Sequence, residues 1–582
     1  MANIECDVAV IGGGPGGSTL GALLKKYEPK LSVCIFEREK FPRDHVGESQ
    51  LPPISAVLDE MGCWDAVEAA NFPIKVGATF RWGKKPVLWD FEFLPLDTFH
   101  DEPRPAKYVG QRRRTAFQVD RSVYDQILLQ HAQQLGCVVR EEAQVVKVER
   151  EGDRVTGLVL KSGERVVARH YVDASGHVGV LRRALDVEVT VPTALQNIAI
   201  WDYWDNAKWA VEIGVGGTRI QIMSLKNGWL WFIPLGPTHT SLGFVCPAEY
   251  YKHSGRTPEQ LYHEVVQADP RIAALLEGAT CRGPLMTTKD WSFVASRGYG
   301  ENWYLVGEAL GFADPILSAG LTLTHTGARE LAYTILAIER GEHDAEWLKH
   351  NYEDAQQKRV RQHIRFADFW YAANGQFTDL QENCAKIAAE AGLTLSSREA
   401  WRWLAQGGFA NDVVGQAGIG GYDLSAAKQL VQRFTTQPAR WALNEFNVLR
   451  LNLRNAKELK VPAYRDGRIE AVTCYERGAR RLVVGGPTRT LFELLQQTAD
   501  IGAIHNSLQA VLQREVHPTL VAVSLQHYIQ MLETMVSDGW VEAKFDPRKP
   551  KLNVSTPDEG RIIHKNTEAR PSADSSDSAS KS

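Results

Sequence analysis

The 582-residue sequence has few of the features that mark secreted, membrane-spanning or nucleic-acid-binding proteins. Its eight cysteines are scattered, with neither a CxxC pair nor the ligand spacing of a zinc site, so we expect reduced thiols and no metal. No uncharged stretch is long enough to span a bilayer, and the chain does not open on a basic segment followed by an apolar run. The net charge of −4 provides no basic field for nucleic acid or anionic membranes. These absences predict a cytoplasmic protein with neither of those partners.

The first motif, DVAVIGGGPGGSTLGALL, predicts a strand, a tight turn and a helix. The glycines of its GxGxxG pattern are Gly12, Gly14 and Gly17. Backbone without side chains lets a pyrophosphate approach the amino end of the helix, where free N–H groups favour anions. The next apolar run, LSVCIFERE, ends at Glu37, and a carboxylate there suits the hydroxyls of an adenosine ribose. This order of elements predicts a dinucleotide site.

Further candidate cofactor residues occur in four later segments. They are Arg43, Gly47, Glu48 and Ser49 in FPRDHVGESQLPP, Arg121 at the start of an amphipathic helix, Asp173 at the end of the strand RHYVD, and Leu321 in the strand, loop and helix segment that contains GEALGFADPILSAGL. Arg43 can face a phosphate, and Gly47 permits close backbone approach. Peptide N–H groups at the predicted helix start near Gly320 suit a flavin edge or a small anion.

The stretch GWLWFIPLG places two tryptophans two positions apart. Because side chains alternate across a strand, Trp229 and Trp231 point to the same side of it. That arrangement fits either ordinary aromatic packing on a sheet face or the wall of a cavity.

Four motifs together resemble those of flavin-dependent halogenases, a group within the flavin monooxygenases that is related to aromatic hydroxylases. The motifs are GGGPGG at 12–17, RDHVGES at 43–49, WLWFIP at 229–234 and DPILSAG at 314–320. The resemblance implies an FAD-binding, Rossmann-like α/β core of the aromatic hydroxylase type, with an inserted β-sheet substrate region. It also implies that Trp229, Trp231 and Pro234 separate the flavin from the organic substrate.

The resemblance further implies that reduced FAD, oxygen and chloride or bromide produce a hypohalous electrophile, which travels along a tunnel to a lysine. The matching position is Lys75, with Lys84 and Lys85 as rivals. An ammonium would polarise the oxidant, whereas a neutral amine would form a chloramine, and desolvation of a lysine favours the neutral form. We expect the chloride at the backbone N–H groups of Ala319 and Gly320.

Two departures from the family pattern bear on the substrate. Tryptophan-specific members carry a glutamate where this chain has Leu317, which makes free tryptophan a poor candidate. The GDA triplet of the flavin class is Gly307-Glu308-Ala309 here. The pattern fits members that act on phenols, pyrroles or activated acyl groups, often tethered to a carrier protein. By resemblance, Asp314 is also a candidate for a covalent link to the flavin.

The chain divides into three predicted regions. Residues 1–340 form the core, with substrate-region insertions at about 72–118 and 185–290. Residues 341–552 are predicted to be mainly helical, with a winged-helix outline near 485–545, where acidic residues outnumber basic ones and so oppose phosphate binding. The Ser- and Asp-rich segment 553–582 is predicted to be disordered. Since no second nucleotide-binding domain is evident, we expect a separate flavin reductase.

Two other functions stay open at this point. A flavin-dependent hydroxylase or related reductase would share the same core. A non-catalytic protein of the same fold would bind a partner instead, although the intact glycine turn and Glu37 argue against it.

Overall fold

The computed structural model describes residues 3–82, 87–92, 115–191, 196–212, 216–289, 292–374, 424, 428–429, 441–478, 480–554 and 563–565. Its helices are α1 Pro15–Tyr27, α2 Pro53–Met61, α3 Trp64–Ala69, α4 Arg121–Gln134, α5 Val180–Ala184, α6 Ala248–Ser254, α7 Pro258–Ala268, α8 Pro270–Leu275, α9 Gly320–Arg340, α10 Ala345–Asn374, α11 Pro487–Gln497, α12 Ile501–Glu515 and α13 Val521–Ser537. Lys84 and Lys85, the rival lysine positions, lie outside the described residues.

The strands are, in chain order, β1 Asn3–Ile11, β2 Val33–Phe36, β3 Ile74–Arg81, β4 Trp89–Glu92, β5 Val138–Arg140, β6 Val145–Glu151, β7 Arg154–Leu160, β8 Arg165–Asp173, β9 Val189–Thr190, β10 Asn197–Asp205, β11 Gly217–Leu225, β12 Gly228–Pro234, β13 His239–Pro247, β14 Thr280–Cys281, β15 Met286–Lys289, β16 Phe293–Ala295, β17 Trp303–Leu305, β18 Gly311–Phe312, β19 Val448–Leu451, β20 Lys457–Arg465, β21 Arg468–Arg477, β22 Arg480–Val483, β23 Val541–Lys544 and β24 Ile563–Lys565.

The first sheet is the predicted Rossmann-like unit. Its strand order is β5-β2-β1-β8-β7-β6, with β17 paired to β8, and β5, β2, β1, β8 and β17 run parallel. The register places Ile11 opposite Phe36 and Asp173, and Asp173 opposite Leu305. Four strands therefore end at one edge of the sheet, where open α/β sheets bind their ligands.

Three helices cover one face of this sheet. Leucines of α1, α4 and α9 pack with Val8 and Val10 of β1 in one buried cluster. The buried strands are nearly continuous in apolar residues because both of their faces are covered, as expected for a parallel sheet. This packing fixes the amino ends of α1 and α9 relative to the carboxyl edge of the strands.

The second sheet carries the tryptophan motif. Its order is β14-β10-β13-β12-β11-β3-β4-β24, with β15 paired to β10, and only the β3–β11 pair within it is parallel. All of its strands except β24 fall within the predicted insertions 72–118 and 185–290. Every residue of β12 is buried, so GWLWFIP is a central strand.

The region after residue 340 contains the helices that the sequence predicts. It also contains a sheet that the sequence did not predict. Helices α10 to α13 and strand β23 match the expected elements. However, β20, β21 and β22 form an antiparallel sheet, whose buried alternating side chains Val461, Val472 and Cys474 supply its core. The boundaries of the three regions stay predictions.

One correction concerns the predicted disordered tail. Ile563–Lys565 lie in that tail, yet they form β24 on the outer edge of β4. An edge strand presents unpaired backbone groups, and a short segment can satisfy them despite its polar surroundings.

None of the helices in the described part of the chain has the length and apolar character needed to cross a bilayer.

Candidate active site

A cavity of about 380 Å³ opens where the first sheet's carboxyl edge meets the second sheet. The predicted site residues that line it are Gly12, Gly14, Glu37, Arg43, Gly47, Glu48, Ser49, Arg121, Trp229, Trp231, Gly307, Ala319, Gly320 and Leu321. Five other predicted residues do not line it: Gly17, Lys75, Asp173, Pro234 and Asp314. The structure thus gathers most of the four motifs around one space.

The glycine turn holds its shape through two close backbone approaches. Gly12 has φ +107°, and a Cβ there would lie 2.4 Å from the carbonyl oxygen of Ala174. A Cβ on Gly17 would lie 2.0 Å from the carbonyl oxygen of Gly12. Gly17 therefore serves packing between the turn and the helix, which explains why it lies behind the cavity.

The amino end of α1 faces the cavity without a side-chain cap. Gly14 precedes the helix and no side chain accepts from the first turn. A Cβ on Gly14 would lie 3.3 Å from Nη2 of Arg43. The unsatisfied N–H groups and the neighbouring guanidinium form a binding place for an anion such as a pyrophosphate.

Glu37 sits where β2 ends, as predicted. Its Oε2 accepts from the N–H of Gly13 (2.7 Å) and its Oε1 from the N–H of Glu39 (2.9 Å), and only 5% of the residue is exposed. These bonds fix the carboxylate at the cavity wall, and each carboxylate oxygen has further lone pairs for ribose hydroxyls.

Arg121 organises the RDHVGES loop. Its Nη1 donates to the carbonyl oxygens of Val46 (2.9 Å) and Gly47 (3.1 Å), while Nε and Nη2 donate to both oxygens of Asp125 (2.7 and 2.9 Å). Asp125 also lies 3.3 Å from Nη1 of Arg43. The paired charges hold the loop and Arg43 against the cavity.

Glu48 is a buried carboxyl in the same loop. Burial raises its pKa, although hydrogen bonds from the Tyr203 hydroxyl (3.0 Å) and the Gly47 N–H (3.0 Å) act in the opposite direction. The next residue, Ser49, has a buried Oγ with no hydrogen-bond partner among the described residues. Both residues line the cavity, so a polar ligand there would satisfy an otherwise unbonded hydroxyl.

Asp173 supports the edge from behind. Its carboxylate accepts from the N–H and hydroxyl of Ser175 (3.1 and 2.5 Å) and from the N–H groups of Leu181 and Arg182 (2.7 and 3.2 Å). The residues of the adjacent turn, Ala174 to Val178, line the cavity in its place. Asp173 therefore shapes the turn instead of facing the cavity.

Glu308 is the acid of the altered GEA triplet, and it does line the cavity. Burial raises its pKa, and the positive charges of Arg121 and His177 oppose that shift. The longer side chain of Glu, compared with Asp, thus still reaches the same space.

Helix α9 begins at Gly320, two residues after the left-handed Ser318 (φ 55°). No side chain caps its amino end, and Ala319, Gly320 and Leu321 all line the cavity. This second free helix start is a place where N–H dipoles can hold a small anion.

Lys75 lies just beyond the cavity wall. It is 4% exposed, and its Nζ donates to the carbonyl oxygen of Gln50 (3.0 Å) and to Oγ of Ser318 (3.4 Å). Burial lowers the pKa of Lys75 to about 7. Because Ser318 lines the cavity, a single hydroxyl separates the amine from that space.

The tryptophan pair forms one wall. The ring centroids of Trp229 and Trp231 are 5.9 Å apart, and both rings line the cavity. Trp231 Nε1 donates to Oγ of Ser241 (3.1 Å). Gly243 faces this indole, since a Cβ there would lie 2.1 Å from Cζ2 of Trp231. Pro234 ends β12 and stays outside the cavity.

Trp229 makes a different contact, which the sequence did not indicate. Its Nε1 donates to the hydroxyl of Tyr371 (3.0 Å), which in turn donates to Asp314. Burial raises the pKa of Asp314 to about 7, while bonds from the Ile316 N–H and Tyr371 oppose the shift. Asp314 is thus hydrogen-bonded to Ile316 and Tyr371 and does not line the cavity, and its covalent link to the flavin stays a prediction.

The residues present fit FAD. Two uncapped helix starts, a carboxylate at the end of β2, a guanidinium beside the glycine turn and the unbonded Ser49 hydroxyl all converge on one cavity. A dinucleotide offers phosphates, ribose hydroxyls and a flat ring edge for those groups. Fold and site together define a flavoprotein of the monooxygenase class with a tryptophan wall.

Comparison with protein families narrows that class. A profile of the tryptophan halogenase family matches residues 7–102 and 99–383, which is more than half of the chain. The chain belongs to the tryptophan halogenase family, and its similar proteins are flavin-dependent halogenase enzymes.

Three relatives illustrate the range of that family. The chain is 34% identical over 346 residues to tryptophan 2-halogenase of Chondromyces crocatus, covering 58% of this chain and 62% of that protein. It is 32% identical over 395 residues to the 1H-pyrrole-2-carbonyl peptidyl-carrier-protein chlorinase of Pseudomonas fluorescens, covering 65% and 86%. It is 30% identical over 365 residues to the flavin-dependent halogenase armH1 of Armillaria mellea, covering 58% and 66%. The matches thus span less than two thirds of the first and third relatives.

Solved structures agree with the fold. The myxobacterial chondrochloren halogenase CndH, an FAD-dependent halogenase, superposes with a TM-score of 0.58 at 28% identity, covering 74% of this chain and 97% of that one. The flavin-dependent halogenase CmlS reaches a TM-score of 0.68 at 23% identity, covering 94% and 98%. The predicted FAD-binding α/β fold is confirmed.

Proposed function

We propose that this protein is an FAD-dependent halogenase that halogenates an electron-rich aromatic or activated acyl substrate, in secondary-metabolite biosynthesis. The carrying observation is the position of Lys75, a buried amine one hydroxyl beyond a cavity that two tryptophans wall off. An oxidant made in the cavity would meet that amine before it met bulk water.

FAD would be held by the groups already described. Glu37 would bind the adenosine ribose, the amino end of α1 with Arg43 would bind the pyrophosphate, and Glu308 would lie along the flavin side. When FAD is bound in its reduced form, its reaction with oxygen supplies the oxidant for the two-electron oxidation of a halide. We propose chloride or bromide as the halide, at the N–H groups of Ala319 and Gly320.

Lys75 would act as the neutral amine. Its nitrogen lone pair attacks the halogen of hypohalous acid, the halogen–oxygen bond breaks, and the amine proton joins the leaving hydroxide to give water and an N-haloamine. With a pKa of about 7, the amine is substantially neutral near physiological pH. Hydrogen bonds to Gln50 and Ser318 would orient that lone pair.

The two relatives that bear on the substrate act on different compounds. The match to the Pseudomonas relative spans 86% of that protein, which acts on a pyrrole tethered to a carrier protein. The Chondromyces relative is named for tryptophan, so tryptophan is a second candidate substrate. Leu317, at the position where tryptophan-specific members carry glutamate, leads us to favour the phenol, pyrrole or carrier-bound acyl class.

A separate flavin reductase is proposed as the partner that supplies reduced FAD. We also propose a cytoplasmic location, since all seven cysteines within the described ranges are free thiols.

The test supplies the protein with FAD, a flavin reductase, chloride and either free or carrier-bound candidates, including tryptophan. We expect a product mass with a halogen isotope pattern for a phenol, pyrrole or acyl substrate. An oxygenated product without halogen, formed with steady NADPH consumption, would instead identify a hydroxylase. Failure to bind FAD would identify a non-catalytic protein.

The pH dependence tests the form of Lys75 that reacts. Because the folded pKa is depressed to about 7, the neutral amine accumulates as the pH rises through that value. We expect the ratio of halogenated product to reduced FAD oxidised to rise between about pH 6 and 8.5. A ratio that falls over this range would favour the ammonium route.

A further inference from the structure

Three buried side chains from distant parts of the chain meet behind the tryptophan wall. Trp229 lies on β12, Tyr371 near the end of α10, and Asp314 directly before the turn Pro315–Leu317. Their exposed fractions are 1%, 0% and 5%. The distances are 3.0 Å from Trp229 Nε1 to the Tyr371 hydroxyl, and 3.1 and 3.2 Å from that hydroxyl to the two Asp314 oxygens.

The chemistry of the three groups sets the direction of this relay. An indole N–H can only donate, so the Tyr371 oxygen must accept from it and its proton must point to Asp314. The carboxylate is itself held by the N–H of Ile316 (2.8 Å). When Asp314 is ionised, the chain ends on a carboxylate and is stronger than one between neutral groups.

Only Trp229 of the three lines the cavity. The relay therefore starts at the wall and runs away from the cavity. Trp82 backs the same side, since its ring centroid is 6.3 Å from that of Trp229 and 6.1 Å from that of Tyr371. Helix α10 also accepts the Trp82 Nε1 hydrogen bond at the carbonyl oxygen of Trp370 (2.8 Å).

We propose that Tyr371, anchored by Asp314, is a positioning residue that fixes the Trp229 indole in the wall and so keeps the hypohalous oxidant on its way to Lys75. The inference rests on the proposed halogenase function. Without the hydroxyl, the buried indole N–H would lose its acceptor, and the ring would turn to find another. A turned ring would open the wall and let oxidant escape before it reached the amine.

The test compares Tyr371→Phe with a matched control, Tyr262→Phe. Tyr262 is equally buried and forms the same kind of chain, accepting from Trp204 Nε1 (2.9 Å) and donating to the carbonyl oxygen of Leu242 (3.0 Å). That chain joins helix α7 to β10 and β13 of the second sheet, and none of its three residues lines the cavity. Both variants lose one tyrosyl hydrogen-bond relay, so general destabilisation would affect them alike.

We expect Tyr371→Phe to lower the ratio of halogenated product to reduced FAD oxidised by about fivefold, the effect of one buried hydrogen bond. Halogenation of a small trap for free hypohalous acid should rise in parallel. The rate of flavin oxidation and the FAD affinity should stay within about twofold of the wild type. An unchanged ratio, or an equal fall in Tyr262→Phe, would overturn the proposal.

A second readout does not depend on activity. Fluorine NMR of protein labelled with fluorotryptophan gives one resonance for each tryptophan. The resonance of Trp229 is assigned as the one that is missing from the spectrum of Trp229→Phe. We expect it to shift in Tyr371→Phe and in Asp314→Ala, and to stay close to wild type in Asp314→Asn, where the amide oxygen still accepts from Tyr371. An unmoved resonance in Tyr371→Phe refutes the positioning role. If wild-type protein makes no halogenated product, the proposed function fails, and the resonance still decides the position of the indole.

Discussion

On the cofactor side of the cavity, the glycine turn and the amino end of α1 offer backbone N–H groups, and Glu37, Arg43 and Glu308 add charged side chains. On the barrier side they are side chains that meet across long stretches of chain: Lys75 with Ser318, and Trp229 with Tyr371. The first side depends on close backbone approach, the second on burial and on single hydrogen bonds. Substitutions should therefore affect the two sides differently, cofactor affinity on one and the fate of the oxidant on the other.

The largest effect is expected from the substitution of Lys75, on the barrier side of the cavity. We expect Lys75→Ala to lower the rate of product formation by about 100-fold or more, the scale of a missing catalytic group, while flavin oxidation continues. Product mass and flavin absorbance measured in the same reaction check this. Lys349→Ala is the control, since Lys349 is also buried and donates to a backbone carbonyl (Glu301, 2.9 Å) away from the cavity. Product formation by Lys75→Ala at the parental rate would remove this residue from the mechanism.

A second prediction concerns the carboxyl that anchors the barrier. The pKa of Asp314 is raised from 3.8 to about 7, so the folded state binds more protons than the unfolded state between those values. Stability from this group is present below pH 3.8 and is lost as the pH rises through about 7. At about 1.4 kcal/mol per pKa unit, this group should lower the unfolding free energy by on the order of 3 kcal/mol between pH 5 and pH 8, and we expect Asp314→Asn to remove that decrease. Urea denaturation at pH 5 and pH 8 measures it, and parallel pH profiles for both proteins would contradict it.

A third test addresses the cofactor side through Gly12→Ala. The new Cβ would lie 2.4 Å from the carbonyl oxygen of Ala174, in the glycine turn where we propose that the pyrophosphate of FAD binds. We expect the Kd for FAD to rise about tenfold, and fluorescence titration measures it. Gly62→Ala is the control, because Gly62 also has a positive φ (+81°) but no atom of the described residues lies within 4 Å of its Cβ position. Equal losses in the two variants would mean that backbone strain, and not close approach, is responsible.

The smallest effect is expected opposite Trp231. Gly243→Ala would place a Cβ 2.1 Å from Cζ2 of that indole, which must move. We expect a loss of about 1 kcal/mol in unfolding free energy, with FAD affinity unchanged. Gly236→Ala is the control for denaturant unfolding, since no contact within 4 Å of its Cβ position occurs in the part of the chain that the structure describes. A fall in FAD affinity instead would show that the two sides are not independent.

The same contrast explains how much the sequence could predict. The strand, glycine turn, helix and acid at Glu37 follow one another along the chain, so periodicity and motif spacing were sufficient. The two tryptophans were also accessible, because alternation places both on one side of β12. Gly17 and Asp173 belong to the same unit, but which residue faces the ligand and which supports it from behind depends on three-dimensional packing.

The partners of the barrier were not accessible in this way. Tyr371 lies 142 residues after Trp229, in a helix whose pattern indicates only an amphipathic segment. Asp314 was assigned to the flavin by resemblance, although its oxygens are directed to Tyr371 and Ile316. The sheet β20–β22 was missed because its strands are rich in charged residues and bury few side chains, which weakens the apolar alternation. Strand β24 was missed because it has only three residues in polar surroundings.

Helix α10 joins regions that an engineer would treat as separable modules. Its 30 residues extend about 45 Å. Near its start, Asp354 pairs with Arg481 of β22 (2.7 Å), and near its end Tyr371 meets the tryptophan wall. A chimera that exchanges the carboxyl-terminal portion to change substrate scope should therefore keep residues 345–374 together with residues 1–340. A truncation that ends near residue 340 would remove Tyr371, the hydrogen-bond acceptor of the Trp229 indole.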